Sequence, residues 1–367
     1  MRLGIMLRHI DQNDGGVKVY SRELVRSLVK QNTKHDIFLL YRNRARMGSF
    51  GVTTGTQEVL LEGGSILQWD QMKVPLAVRK LDLDVVFNPK YSIPLVTRAK
   101  TAWICHGLDW YVMPRASPWK DRLSHRFLVP QYASRCDALF AVSEITREHI
   151  QQYLRVDPAR VHVARSGLSA AYRNFATPQQ LAAIRSRYGL PDRYLLYCGA
   201  IYPPKNFTRL IQAFARVGPR LGVPLVIAGG SNRYLSAKEL LEPKRLGIEQ
   251  WVRWLGWLDN DELPGLYRQA EALLLPSLFE SVGLPVIEAM ASGCPVLTSD
   301  RFGTREIAQG AALLVDPEST DEVAGGIERL LTNPQLRAEL IAAGSERANQ
   351  FTWDKTASVV MKVLEQL

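Results

Sequence analysis

Short apolar runs of strand length alternate with amphipathic stretches along the whole chain, and the alternation starts twice. Residues 3–7 read as a strand and residues 17–29 as a helix with Val17, Tyr20, Leu24 and Leu28 on one stripe; residues 37–41 read as the next strand. Further strand-sized runs follow at 85–87, 102–105, 138–142 and 161–163. After a loop-like stretch at 170–178 the rhythm resumes near Arg185, with strands at 194–198, 225–228, 272–275 and 296–298 and a helix at 207–214. Strands that are apolar throughout and separated by helices imply parallel sheets covered on both faces. Residues 334–367 read as helices alone. A chain of 367 residues exceeds one compact core, so two doubly wound domains are expected.

Composition narrows the class. With 46% hydrophobic and 22% charged residues the chain belongs among globular proteins rather than disordered ones. No apolar run approaches the ~18 residues of a membrane span. The amino terminus carries Arg2 and Arg8 around a short apolar run and makes a poor secretory signal, so a cytoplasmic protein is expected. Cys105, Cys136, Cys198 and Cys294 lie too far apart in sequence for a paired metal or redox motif and read as small buried hydrophobes. Charge is uneven: residues 1–175 hold 26 Lys+Arg and 15 Asp+Glu, or +11, while the remainder holds 20 and 21, or −1. The first half therefore faces something anionic, whether a membrane surface, a nucleic acid or a phosphorylated acceptor.

Ligands of doubly wound sheets lie at the carboxyl ends of the strands, and four segments there carry chemistry. Asp14-Gly15-Gly16 opens the first helix, where bare N–H groups and the helix dipole suit an anion; a tight turn alone accounts for it too. His106 follows the strand at 102–105 and leads into Asp109, as a substrate-facing or a structural imidazole. Gly199 to Asn206 runs from a strand into a helix and sets Lys205 near a helix amino terminus, facing a diphosphate or solvent. The most informative segment spans Leu275 to Val296. In it Glu280 and Glu288 lie eight positions apart across Gly283-Leu284-Pro285, which opens a helix; the carboxylates suit sugar or ribose hydroxyls and Gly283 lets a phosphate approach the backbone.

That segment resembles the Glu-x7-Glu signature of the family 4 glycosyltransferases, retaining enzymes of the GT-B fold. Over most of the chain the resemblance extends to Gly15-Gly16-Val17, His106 with Asp109, Ala141 to Glu144, Gly199 to Asn206, Ala228 to Gly230, Gly256 to Leu258, Glu306 before Ala311 to Pro317, and Phe351 to Trp353. It implies two Rossmann-like domains facing a cleft, residues 1–175 for the acceptor and 176–350 for the nucleotide sugar, with residues 351–367 forming a helix that returns to the first. It further implies catalytic roles for His106, Glu280 and Lys205. The implied donor site comprises Gly15, Gly16, Gly199, Lys205, Asn206, Gly256, Leu258, Ser281, Val282, Gly283, Leu284 and Glu288. Within it Glu288 takes the ribose, Glu280 the sugar, Lys205 the diphosphate, and Gly256 to Leu258 the base through main chain. The chain departs from the pattern where relatives carry arginine, at Ala200 and Pro204, which leaves Arg209 as a substitute. It departs also at Ser166 before Gly167, where relatives have Asn, and at Val282, where they have an aromatic.

The resemblance implies transfer of a hexose to a lipid-linked or polysaccharide acceptor in cell-envelope glycan synthesis. GDP-mannose is the leading donor, and UDP- and dTDP-sugars remain open. No cofactor and no metal is expected, since no Asp-x-Asp pair follows any of the strands read here. A nucleic-acid-binding protein is disfavoured because no recognition motif accompanies the charge. Fold and binding residues do not by themselves prove turnover to this product, so a non-catalytic nucleotide-sugar-binding protein, a sugar phosphorylase and an epimerase of related fold stay open. Lys18, Arg22, Arg26, Lys30 and Lys34 recur every four residues on the first helix, followed by Arg42, Arg44 and Arg46. Trp110, Tyr111 and Arg115, with Trp119 and Lys120 beyond, mix aromatic and basic side chains after His106. Both features point to peripheral attachment at the anionic inner leaflet.

Overall fold

The computed structural model describes residues 1–11, 15–51, 53–116, 119–174, 177–230 and 237–367; for Asp11, Lys120, Ala237 and Lys238 it describes the backbone only. The chain divides into two units, Met1–Gly167 with Thr352–Leu367, and Leu168–Phe351. The first ends short of the boundary at 175 read from the sequence, because Leu168 and Tyr172 already pack into the second unit's core.

The first unit is built on a parallel sheet of β1 (Arg2–Met6), β2 (Asp36–Tyr41), β3 (Thr56–Leu60), β4 (Val85–Asn88), β5 (Lys100–Cys105), β6 (Ala138–Ala141) and β7 (Val161–Val163), in the order β3-β2-β1-β4-β5-β6-β7. Strand order reverses between β1 and β4. The register pairs Val86 with Thr101 and Asn88 with Trp103, so Val86 and Trp103 share one face. Val86 packs there with Trp69, Val74 and Val78, and Trp103 with Val129, Tyr132 and Ala133. The helical run Ile66–Gln68, Trp69–Lys73 and Val74–Lys80 therefore lies on the same face as the helix Trp119–Arg135. The β1-to-β2 crossover runs the other way along the sheet, and right-handed connection puts the helix Gly16–Gln31 on the opposite face.

The helix Trp353–Leu364 packs on Gly16–Gln31, tied to it by Ser27 Oγ donating to Asp354 Oδ1 at 2.5 Å, and is held to the segment after β7 by Thr356 Oγ1 donating to the Arg165 carbonyl at 2.6 Å. Gly167 explains itself at this seam: a Cβ there would lie 2.3 Å from the Trp353 backbone nitrogen.

The second unit carries β8 (Leu195–Cys198), β9 (Leu225–Ala228), β10 (Val252–Gly256), β11 (Ala272–Leu275), β12 (Val296–Ser299) and β13 (Leu313–Val315), also parallel, in the order β10-β9-β8-β11-β12-β13. Here the order reverses between β8 and β11. All four cysteines are free and buried.

Candidate functional site

Neighbouring strands whose connections leave in opposite directions open a crevice at their carboxyl ends. In the second unit that crevice lies beyond β8 and β11, and Lys205 and Glu280 meet there. Lys205 Nζ pairs with Glu280 Oε1, which also accepts Ser277 Oγ at 2.8 Å. Both charged side chains are only 10% exposed. Burial works against the Lys205 ammonium, yet the adjoining Glu280 carboxylate holds its pKa above the ordinary lysine value.

The loops bearing this pair are joined by backbone, with Leu278 N–H donating to the Pro204 carbonyl at 2.7 Å. Asn206 adopts the left-handed conformation at φ 58 and caps the turn Pro203–Lys205. Its Nδ2 donates to the carbonyls of Pro276 at 2.9 Å and Pro317 at 2.7 Å, and its Oδ1 accepts from Arg209 at 2.8 Å. Both amide protons are used within the loops, so Asn206 ties them together and keeps one Oδ1 lone pair free of these bonds. Arg209 also donates to the Pro317 carbonyl at 3.0 Å and is likewise engaged in fixing the loop.

Gly283, at φ 94, precedes the helix Leu284–Ala291, whose amino terminus has no side-chain cap. Ser281 and Val282 run so close to Gly303 that a Cβ at 303 would lie 2.6 Å from the Ser281 carbonyl. About a turn into the helix, Glu288 Oε2 accepts Tyr267 OH at 3.0 Å. Burial raises the Glu288 pKa to about 7, opposed by hydrogen bonds from Tyr267 and Tyr172 and by the Lys205 charge. The sequence gives no signal for these two tyrosines, which come from the helix Leu263–Gln269 and the turn Ala170–Tyr172. Gly199 follows β8 at φ 136 and Gly256 ends β10 at φ 72. Leu258 packs against the core at its edge.

In the first unit His106 closes β5. Its Nε2 lies 2.7 Å from the Pro89 carbonyl, and since a carbonyl only accepts, Nε2 carries the proton and Nδ1 the lone pair. Burial, with help from the Lys90 charge, pushes its pKa down to about 4. The imidazole is therefore neutral at physiological pH, standing edge-on to Tyr20 at 4.9 Å. Beside it a network missed by sequence reading spans β1 and β4. Arg8 grips Asp70 through Nε–Oδ1 at 2.8 Å and Nη2–Oδ2 at 3.1 Å, Ser92 Oγ donates to Asp70 at 2.8 Å, and His9 Nε2 lies 2.8 Å from Asn88 Oδ1. Gly15 and Gly16 are exposed at the start of Gly16–Gln31, which no side chain caps; Asp14 lies outside the described residues.

The residues read as a membrane or acceptor surface separate. Arg22 Nε and Arg26 Nη1 converge on Glu23 Oε1 at 3.1 and 2.6 Å, so the stripe that begins at Lys18 is partly neutralised. Trp110 does not face solvent: it is 5% exposed, packed on His125 at 4.5 Å and Tyr91 at 5.3 Å. Its aromatic neighbours supply enough area to bury it, which corrects the interfacial role given to it. Tyr111 stacks on Tyr153 at 5.1 Å beneath the Arg126 guanidinium, and Arg115 is exposed.

Residues 14–171 match the family described as Glycosyltransferase Family 4, and residues 183–347 that described as Glycosyl transferases group 1. The chain is 27% identical over 291 residues to an O-antigen chain mannosyltransferase B of Escherichia coli, covering 77% of this chain and 74% of that one. It is 32% identical over 397 residues to a D-inositol 3-phosphate glycosyltransferase of Jonesia denitrificans, covering 96% and 91%. Among solved structures it resembles Anabaena HepE in complex with UDP-glucose, with a TM-score of 0.80 over 100% of both chains and 17% identity, a likeness of fold.

Proposed function

The chain belongs to glycosyltransferase family 4, with two parallel-sheet Rossmann-like units of GT-B type, and from that premise we propose a retaining transfer of a hexose from a nucleoside-diphosphate donor. The buried Lys205–Glu280 pair at the strand reversal of the second sheet carries this reading. Departure of the nucleoside diphosphate leaves about two negative charges' worth of phosphate oxygen, which the Lys205 ammonium and the uncapped amino terminus of Leu284–Ala291 stabilise without reorganising. In the second unit Glu280 holds and polarises the sugar and Glu288 accepts the ribose hydroxyls; in the first unit the neutral His106 offers its Nδ1 lone pair to a substrate hydroxyl. No carboxylate is assigned to covalent attack, and retention is checked by the anomeric configuration of the product in NMR.

Mannose from GDP-mannose is the favoured donor, supported by the similarity to O-antigen chain mannosyltransferase B, and the acceptor is a lipid-linked or polysaccharide glycan at the anionic inner leaflet. UDP- or dTDP-sugars are the second reading, favoured by the fold likeness to a UDP-glucose complex. Thermal shifts with GDP, UDP, dTDP and ADP separate them. At a hundred times its dissociation constant the cognate nucleotide stabilises by about 2.7 kcal/mol, and a larger shift with UDP or dTDP removes the GDP assignment. Transfer is metal-independent, with Lys205 in place of a divalent ion; a rate lost in chelator and restored by magnesium overturns this.

Nucleotide affinity also reads the Glu288 carboxyl. With a pKa raised to about 7 in the free protein, the ionised acceptor predominates only above that pH. Affinity is expected to fall about tenfold between pH 8 and pH 6 and to become pH-independent in Glu288→Gln. Calorimetry showing the same slope in both proteins removes Glu288 from the ribose.

A further inference from the structure

The amino-terminal half of the helix Trp119–Arg135 presents an apolar ridge to solvent. Trp119, Leu123 and Phe127 are 63%, 62% and 70% exposed, whereas Val129, Tyr132 and Ala133 in the following half are buried against the sheet. Residues four apart drift only about 40° around a helix, so the three side chains form one continuous ridge. On the same face of the sheet the helix Val74–Lys80 and the turn before it leave Met72 and Leu76 exposed, again four apart. Two neighbouring helices in one layer thus carry unburied apolar side chains, where ordinary surfaces scatter them singly.

Charge identifies the occupant. Arg115 and Arg126 are exposed beside the ridge, Arg79 and Lys80 are exposed beyond Leu76, and residues 1–175 carry +11. A second copy of the chain meeting this face about a two-fold axis would set arginine against arginine. An anionic bilayer matches both features, taking the apolar ridge between its headgroups and the cations at its surface.

We propose that this layer, led by Trp119, Leu123 and Phe127, is the surface that docks the enzyme on an anionic membrane, and that the basic stripe of Gly16–Gln31 is not. The proposal rests on the membrane acceptor put forward above and adds the element that reaches the lipid. Helices that return between parallel strands begin at the strands' carboxyl edge, so residue 119 starts on the edge where His106 sits. A docked ridge brings a lipid-linked acceptor to that edge.

The test is flotation of the full chain with vesicles of phosphatidylcholine alone or with phosphatidylglycerol added. Wild-type protein is expected to float with the anionic vesicles only. Leu123→Glu with Phe127→Glu is expected to bind them more than about tenfold more weakly, since interfacial binding scales with the apolar area inserted. Arg26→Glu with Lys30→Glu is expected to stay within about threefold of wild type, the loss of two distant charges being screened. Both variants should keep the wild-type thermal shift with nucleotide, which reports an intact second unit, and the wild-type far-ultraviolet circular dichroism.

Unchanged flotation of the Leu123→Glu, Phe127→Glu protein overturns the assignment of the helix while leaving a membrane enzyme. Failure of wild-type protein to float overturns the membrane acceptor as well, and the transferase reading then stands on the nucleotide shifts alone. A concentration-dependent dimer in sedimentation that the same double substitution abolishes makes a second copy the occupant and overturns the proposal.

Discussion

Glu280→Ala is expected to lose transfer at least ~10²-fold while binding nucleotide at least as tightly as the parent, and Lys205→Ala is expected to lose both, because the two residues form one buried pair with different proposed ligands. In the ligand-free protein removal of Glu280 leaves the Lys205 ammonium enclosed without its counter-charge, a situation that costs on the order of 3 kcal/mol. A donor diphosphate supplies the missing negative charge. The alanine variant is therefore expected to melt earlier than wild type without nucleotide and to recover more of that loss when nucleotide is added. Lys205→Ala strands the Glu280 carboxylate instead, and a diphosphate then meets a like charge. Its nucleotide shift is expected to vanish. Differential scanning fluorimetry beside a transfer assay separates the outcomes, and a Glu280→Ala protein that loses its nucleotide shift as fully as Lys205→Ala does defeats the division between sugar and diphosphate.

What the sequence reveals of the fold divides between the middle and the edges of the sheets. The central strands, apolar on both faces, stand out as unbroken runs, and 225–228 and 272–275 coincide with β9 and β11. Of the strands not read from the sequence, β3 and β10 lack such a run and β13 lies within the short run 311–315; each is at an edge of its sheet. Edge strands are covered less, so Gln57 and Glu58 in β3 and Arg253 in β10 are tolerated and the apolar signal fails. The site divides similarly. Lys205, Gly283, Glu280 and Glu288 are legible because glycine, proline and charge cluster locally after strands. Tyr172 and Tyr267 reach Glu288, and Asp70 reaches Arg8, only through the fold, across sequence separations that no local pattern records.

Surface readings suffer from a different ambiguity. An apolar residue every four positions is the mark of a helix face that packs on a core, and Trp119, Leu123 and Phe127 carry that mark while facing solvent. Trp110, within a basic and aromatic segment, carries the mark of an interface while buried. Periodicity says that a stripe exists, and only the placement of the sheet says which way it points.

Gly229→Ala is expected to unfold the second unit's binding edge. Gly229 follows β9 at φ 134, and a Cβ on it would lie 2.0 Å from the Gly199 carbonyl oxygen and 2.8 Å from the carbonyl carbon. Both obstacles are backbone, so no side chain can swing aside. The backbone has little room to retreat, since Gly229 N–H donates to the Gly256 carbonyl at 2.7 Å, Gly199 N–H to the Ala228 carbonyl at 2.9 Å and Ile201 N–H to the Gly230 carbonyl at 3.0 Å. These bonds lace the ends of β8, β9 and β10 together, and the segment displaced by the methyl is the one that leads to Lys205. Conformational strain and overpacking together cost on the order of 4 kcal/mol, or roughly 8–16 °C in the melting temperature of a unit of this size. Gly247→Ala is the control: it shares a positive φ, 66, but has nothing within 4 Å of the added methyl, so only the left-handed penalty of about 1–2 kcal/mol applies. Nucleotide affinity is expected to collapse in the first variant and survive in the second. If the two melt within a degree of one another, the close approach of Gly229 to Gly199 is not what holds the loop before Lys205 in place.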